Sequence, residues 1–362
     1  MPVNASEWRT PSLAQPKDCF GNETRTRFRL RARLHDGHVV WCAWFDDRDD
    51  ADAFLWAIAT GTLNQQPALW RLPTPQWHPD ISESPNFEFV TQTFLTGTTG
   101  SNRTDWTVPS DWNNSSNQLQ TIGAGASGGA VVTGKHGTGG GGGAWNKTTN
   151  LTLTIGATPT FQLGTGGAAV APGSNGVTGG DTWFNNTTLA GSPVGSKGGV
   201  QGVQGSGSRN GGAGGTGASG TGSSSNNGGR GGNLTGGSGS GGSGGGGAGG
   251  PNAAGSAGGD SSSTSNVTTA GGQGDGTSGG SGGATAGGTG GNGAEWDASH
   301  GSGGGGGGAG GSANGGDGGN YGGGGGGKVG TNNSGAGIQG IVYIEYTPVS
   351  IVTCGNLAMM GL

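Results

Sequence analysis

Residues 123–340 hold 87 of the chain's 94 glycines in 218 positions. Three runs are pure glycine, at 139–143, 303–308 and 322–327. Between them lie segments of Ser, Thr, Asn and Ala with a few Trp, Tyr, Asp and His residues. Glycine makes up about 7% of ordinary protein, and an excess on this scale signals collagen, a disordered linker or a fold built from backbone alone. Collagen needs glycine at every third position and abundant proline. Here Gly-Gly pairs recur throughout, and the only prolines of the region are Pro159, Pro172, Pro193 and Pro251. Collagen is therefore excluded. A linker stays open because glycine loses the most entropy on ordering; what flanks the region decides between the remaining two.

The formal charge is −5, and residues 1–122 carry 10 of the 16 basic and 14 of the 21 acidic side chains. A nucleic-acid partner would call for a basic stripe, and a disordered acidic tail for a block of like charge. The glycine region has neither, so no nucleic acid is expected. Cys19, Cys42 and Cys354 have no metal or disulfide-framework spacing. The first residues, Met1 to Glu7, lack a charged segment followed by an apolar one, and no apolar run nears the ~20 residues of a membrane span. The expectation is a soluble chain made in a cytoplasm, with no membrane insertion.

In chain order, residues 1–24, with Pro2, Pro11 and Pro16, read as an extended arm. The segment 27–34 alternates Arg with Phe or Leu or Ala, which predicts a strand with one arginine face and one apolar face. Asp36-Gly37 is a hairpin dipeptide, and residues 39–45 form the returning strand. A two-residue loop sets Leu34 against Val39, Ala32 against Trp41, Leu30 against Ala43 and Phe28 against Phe45. The other face then pairs Arg33 with Val40, Arg31 with Cys42 and Arg29 with Trp44. Asp46, Asp47, Asp49 and Asp50 open a helix, where carboxylates complement the free N–H groups. Gly61 ends it. Residues 25–62 are thus expected to form a small ββα unit whose arginine face is covered by the N-terminal arm or by a partner. Residues 63–86 form a proline-rich connector, with Trp70 and Trp77 pinning it to a neighbouring surface. Strand patterns return at 87–95, 104–109, 118–122, 148–155 and 160–163. A last strand at 341–346 needs a partner, and the strands at 87–163 are the nearest candidates. The glycine region is then an excursion tied at both ends, which argues against a linker.

Several pieces, in order, resemble the glycine-rich domain of tailed-phage tail fibre and receptor-binding proteins. Residues 104–109 (TDWTVP) look like its opening strand. Residues 139–145 (GGGGGAW) with 151–155 and 161–167 (FQLGTGG) look like the hairpin before its bundle. Residues 179–185 (GGDTWFN), 194–199 (VGSKGG), 249–252 (GGPN), 301–310, 320–327 and the closing 340–346 (GIVYIEY) complete the set. The distal portion is also similar in composition to the adhesins at the tips of T-even-like long tail fibres, which fold as a sandwich of polyglycine II helices. The resemblance covers about residues 90–347 and leaves the 25–62 unit without a family. Together with the ββα attachment unit that the residues at 25–62 predict, it implies a mainly β fold: a β-sandwich of antiparallel strands at 87–170, a polyglycine II bundle at 171–339, a closing strand at 340–347 and a tail at 348–362. It implies a virion protein that docks on the tail through its N-terminal part and meets a host glycan or outer-membrane protein through its glycine-rich tip, as a possible homotrimer. The docking residues would be Arg29, Arg31, Arg33, Val40, Trp44, Trp70 and Trp77.

A polyglycine II helix has about three residues per turn and a rise of ~3.1 Å, and it makes no internal hydrogen bonds. Its N–H and C=O groups point at neighbouring helices, so inner helices must be nearly all glycine while outer ones carry small side chains. Binding would live in the turns. The richest turn holds Asn292, Glu295, Trp296, Asp297 and His300; Asn226 and Asn227, and Ser262 and Asn266, lie in two further polar turns. An aromatic beside carboxylates and a histidine suits contact with a glycan or a protein, although Trp296 alone could equally cap the bundle; Tyr321 reads as structural. No catalysis, metal or cofactor is expected. Gly-x-Gly-x-x-Gly matches are inevitable here and uninformative. Lys135 and Lys328 are not followed by Ser or Thr, so neither completes a P-loop. The calcium β-roll repeat, the EF-hand spacing and a His35–His38 metal pair all fail, and no Ser–His–Asp or paired-carboxylate set can be assembled. Two other readings remain: a virion component without a receptor role, such as a head fibre or decoration protein, and a tip depolymerase. A bacterial surface protein is disfavoured by the lack of a leader.

Overall fold

The computed structural model describes residues 24–33, 39–45, 86–132, 136–235, 241–262, 269–276 and 278–349. The chain divides into two units, residues 1–94 with 345–362, and residues 95–344. The protein is mainly β, with antiparallel main sheets; among the described residues there is no α-helix and one 3-10 turn, Gly217–Ser219.

In the first unit β1 (Thr24–Arg33), β2 (Val39–Phe45) and β3 (Asn86–Leu95) are adjacent in the order β2-β1-β3. β1 and β2 are antiparallel, with Phe28 opposite Phe45, Arg29 opposite Trp44, Leu30 opposite Ala43, Arg31 opposite Cys42 and Ala32 opposite Trp41, as the alternation predicts. Past Ala32 the register shifts, and Arg33 faces Val39 rather than Val40. Val40 is an extra residue on β2, a bulge that the assumption of an ideal two-residue loop could not anticipate. Leu34, the Asp36-Gly37 turn, the helix expected after Asp46, and Trp70 and Trp77 lie outside the described residues, so the β1–β2 strand pair is what stands of the expected ββα unit.

The second unit contains β4 (Asn117–Ile122), β5 (Ala130–Val131), β6 (His136–Gly137), β7 (Trp145–Thr149), β8 (Phe161–Gln162), β9 (Thr182–Phe184), β10 (Val194–Ser196), β11 (Gln204–Gly205), β12 (Ser224–Asn226), β13 (Leu234–Thr235), β14 (Ser261–Ser262), β15 (Lys328–Val329) and β16 (Ile341–Tyr346). Its largest sheet runs β12-β7-β4-β16, so the closing strand pairs with a strand from the region the sequence indicated. A second antiparallel sheet, β10-β9-β8, lies against β4 and β7. Between the two, the Ser196 hydroxyl sits 2.6 Å from Thr121 Oγ1 and 3.1 Å from Asn146 Oδ1. Phe184 meets Phe161 at 6.3 Å and Trp106 at 5.6 Å. The strand expected at 104–109 is not one; only Arg103 bridges to Phe161 there.

Five segments of the glycine region, 123–131, 136–144, 241–250, 301–309 and 321–329, are buried from end to end. Most of their length is in no sheet. Their hydrogen bonds instead repeat every third residue. Gly123, Ala126 and Gly129 donate to the carbonyls of Ala144, Gly141 and Thr138. Ala124, Ser127 and Ala130 donate to Gly180, Val177 and Ser174, while Gly125 and Gly128 donate to Ile338 and Gly335. On the accepting side, Ala124 and Ser127 serve Gly199 and Gly202, Gly125 serves Gly167, and Ala126 and Gly129 serve Gly325 and Lys328. One segment thus holds six neighbours, three by donating and three by accepting. The segment 301–309 repeats the scheme, with Gly303, Gly306 and Ala309 donating to Tyr321, Gly324 and Gly327. Backbone pairing does here what apolar burial does in an ordinary core.

Such spacing leaves little room for side chains. A Cβ on Gly143 would lie 1.8 Å from the carbonyl oxygen of Gly123, and one on Gly307 would lie 1.8 Å from that of Ala284. Alanine and serine enter the inner segments at a few fully buried positions, such as Ala124, Ala126, Ser127 and Ala248.

Three inner or flanking segments are continuous with the main sheet. β4 passes directly into residue 123, residue 144 into β7, and residue 340 into β16. One end of the glycine lattice therefore adjoins that sheet. The far end carries the short ladders β5–β15, β6–β11 and β13–β14, of which the first and last are parallel. Because the strands feed the lattice in this way, lattice segments occur on both sides of residue 170.

Candidate functional site

The turn at 292–300 sits at the sheet end. Trp296 is 8% exposed and stacks on Tyr343 of β16, with ring centroids 4.8 Å apart and planes 8° apart. Its indole N–H donates to Gln120 Oε1 of β4 at 3.2 Å. The Trp145 indole donates to the same oxygen at 2.9 Å. Two large rings are thereby fixed by one amide of the main sheet. Gln120 was invisible as a key residue in the sequence, where it reads as an ordinary strand position.

Three polar residues of the turn, Glu295, Asp297 and His300, are half-buried. Asp297 Oδ1 accepts the backbone N–H groups of Ser299 at 2.7 Å and His300 at 2.9 Å, and the His300 ring nitrogen Nδ1 lies 2.8 Å from both carboxylate oxygens. Burial opposes the charge of Asp297, but the bonds from His300 and Ser299 outweigh it and hold the carboxyl far below the usual carboxylate range. Glu295 moves the other way: burial raises it above the usual range, helped by the charge of Asp275 and opposed by hydrogen bonds from Ser302. The His300 ring stacks on Tyr321, with centroids 5.8 Å apart. Asn292 is exposed, and its Oδ1 accepts the N–H of Asn320 at 3.0 Å.

Ser299, His300 and Asp297 thus do come together, but not as a catalytic relay. The Ser299 hydroxyl, at 3.2 Å, and Asp297 both address Nδ1. A relay requires the acid on one ring nitrogen and the nucleophile on the other. Among the described residues there is also no group of three or more His, Cys, Asp or Glu side chains placed to hold a metal ion.

The other expected contact residues are divided between the two ends. Asn226, opposite Trp145 in the β12–β7 pair, is half-buried and donates to the Gly250 carbonyl at 2.6 Å. Asn227 is exposed, and its Oδ1 accepts the Gly217 N–H at 2.8 Å. Both belong to the sheet end with the 292–300 turn. Ser262, exposed in β14 and opposite Thr235, belongs to the far end. Asn266 lies outside the described residues.

The far end is a mosaic of turns joined side by side. Ala130 bridges to Ser174, Arg209 to Leu234, and Asn332 donates through Nδ2 to the Ser312 carbonyl at 2.7 Å. Lys328 is fully buried there, with Nζ 2.7 Å from the Gly311 carbonyl, and burial lowers its pKa. The aromatic residues of the glycine region, Trp145, Phe161, Trp183, Phe184, Trp296 and Tyr321, all gather at the sheet end. Among the described residues the far-end turns have none. Comparison of the chain with protein-family models gives no match, and comparison with curated proteins finds no relative.

Proposed function

We propose that this chain is a tailed-phage virion protein, a tail fibre or receptor-binding adhesin, whose N-terminal part docks on the tail and whose glycine-rich domain meets the host surface. The observation that carries the reading is the lattice itself. Period-three hydrogen bonding with six neighbours per segment fits polyglycine II helices, and the two antiparallel sheets at its base fit a β-sandwich carrying the bundle. A device of this kind holds many short turns rigidly at one end while spending almost no side chains on its interior. In this reading the chain binds and does no catalysis, and its contact surface is the far end, because the 292–300 turn serves to clamp the bundle on its sheet. Its partners are other tail proteins and a host surface receptor, and it works in the virion. The test is adsorption of the purified full chain to a panel of bacterial cells, with substitutions at the two ends compared. Loss of binding on changing exposed far-end residues, with binding kept on changing Asn292, supports the reading. The reverse pattern contradicts it.

A further inference from the structure

We infer that Asn210 is the residue at which the folded protein is chemically modified, by spontaneous deamidation, while the lattice holds its other Asn-Gly steps unreactive. The dipeptide occurs five times, at 175–176, 210–211, 227–228, 292–293 and 314–315. In each, the glycine nitrogen can lose its proton to base and attack the asparagine Cγ. A C–N bond closes a succinimide ring, and the side-chain nitrogen leaves as ammonia. Water then opens the ring at either carbonyl and yields aspartate or isoaspartate. Glycine favours the attack because it has no Cβ to crowd the closing ring. All five asparagines are exposed, so access to water does not separate them.

Hydrogen bonding does. Ring closure needs a carboxamide free to swing onto the backbone and a glycine N–H released from its acceptor. Four of the steps have both groups tied to a neighbouring segment. Asn292 Oδ1 accepts the N–H of Asn320 at 3.0 Å, and Gly293 donates to the Asn320 carbonyl at 2.9 Å. Asn314 Oδ1 and the Gly315 N–H grip Asn333 in the same way, at 3.3 and 2.9 Å. Asn175 takes the N–H of Gln204 while Gly176 donates to Gly202, and Asn227 takes the N–H of Gly217 while Gly228 donates to Gly215. The asparagine oxygen stands in for a lattice carbonyl at each. At the fifth step the Asn210 carboxamide has no hydrogen-bond partner among the described residues. The Gly211 N–H there goes to a side chain, Asn233 Oδ1 at 2.9 Å, and not to a main-chain carbonyl. Rotation of one side chain frees that N–H, whereas the other four are freed only by local opening of the lattice. Isoaspartate at 210 adds a methylene to the backbone just before Gly211. Gly212 and Gly215 donate to the carbonyls of Gly139 and Gly142 in an inner segment, and the added methylene puts those bonds out of register.

The test is incubation of the folded full chain in mildly alkaline buffer, mapped by peptide mass spectrometry beside a sample held unfolded in urea. Expected in the folded chain is conversion at Asn210 at least about tenfold faster than at the other four; in urea all five should convert at similar rates. Asn210→Gln should remove the early conversion, and after incubation it should unfold at a higher temperature than the incubated wild type. First conversion at Asn175, Asn227, Asn292 or Asn314 in the folded chain overturns the inference, as does equal conversion at the five steps. A folded chain that converts nowhere while the urea sample converts throughout shows Asn210 to be shielded as well, and overturns it too. Equal midpoints of variant and wild type after incubation overturn the loss of register.

Discussion

At the scale of single residues, the decisive quantity is the space for one Cβ atom. In the inner segments that atom would collide with a carbonyl oxygen, as at Gly143 and Gly307. Backbone cannot move aside without breaking bonds to other neighbours. Gly143→Ala and Gly307→Ala should each destabilise the protein by about 2–4 kcal/mol, read as a lowered midpoint in thermal or urea unfolding. Ala168→Ser, at an exposed position, should stay within about 0.5 kcal/mol of wild type. Wild-type stability in the two glycine variants would contradict the close packing. Trp296 is the second residue-scale case. Trp296→Ala should cost about 3–5 kcal/mol through loss of its stack on Tyr343 and its bond to Gln120, and Trp296→Phe should bind cells as wild type does. A fully stable Trp296→Ala variant with lost adhesion would restore that ring as a contact residue.

The two carboxyls of the 292–300 turn give opposite pH signatures. Asp297 has a folded pKa below its unfolded value. Its contribution to stability is therefore present above the ordinary Asp range and is lost as pH falls toward the folded value. Asp297→Asn should lower stability by about 1–2 kcal/mol at neutral pH, and the difference from wild type should shrink in acid. Glu295 has a raised folded pKa, so its stabilising effect is complete in acid below the ordinary Glu range and fades as pH rises through the folded value. Glu295→Gln should accordingly be least harmful at neutral pH. Unfolding curves across pH 3 to 8, on the order of the range where these carboxyls titrate, check both signs; identical pH profiles for the two variants would refute the assignment.

At the scale of elements, the unit is the three-residue turn. Deleting one glycine from 303–308 rotates everything downstream by about a third of a turn and sends each N–H to the wrong neighbour. Removing three glycines preserves the angular order and shortens the segment by one turn. The single deletion should abolish cooperative unfolding, whereas the triple deletion should keep a cooperative transition at a lower midpoint, as followed by calorimetry. Equal effects of the two would mean that the segment has no period of three. Much at this scale was legible beforehand. The alternation of residues 27–34 gave the β1–β2 pairing as far as Ala32, and the strand at 341–346 was rightly matched to strands before the glycine tract. The bulge at Val40 was not legible, because strict alternation of residues 27–34 carries no sign of an extra residue on the partner strand.

At the scale of the whole molecule, the sequence showed that the glycine region was bracketed and that its pure runs would be central. It did not show which end of the lattice each turn occupies. A glycine run carries no side-chain pattern, so its direction and its neighbours are set only by hydrogen bonds formed across the fold. That is why the sequence leaves the 292–300 turn open between contact surface and cap, while in the structure its tryptophan stacks on Tyr343 of β16. One arrangement runs through the domain: among the described residues the aromatic side chains of the glycine region lie at its sheet end.

The most direct test of this account is amide hydrogen exchange of the folded full chain, read residue by residue by NMR with glycine labelling. If the glycine region is a hydrogen-bonded lattice, amides at 140–144, 244–249, 303–309 and 322–327, which all have backbone acceptors, will exchange as slowly as those of β4 and β7. Exchange of these glycines at the rate of an unstructured chain would contradict the lattice, and with it the account of how this protein holds its far-end turns in place.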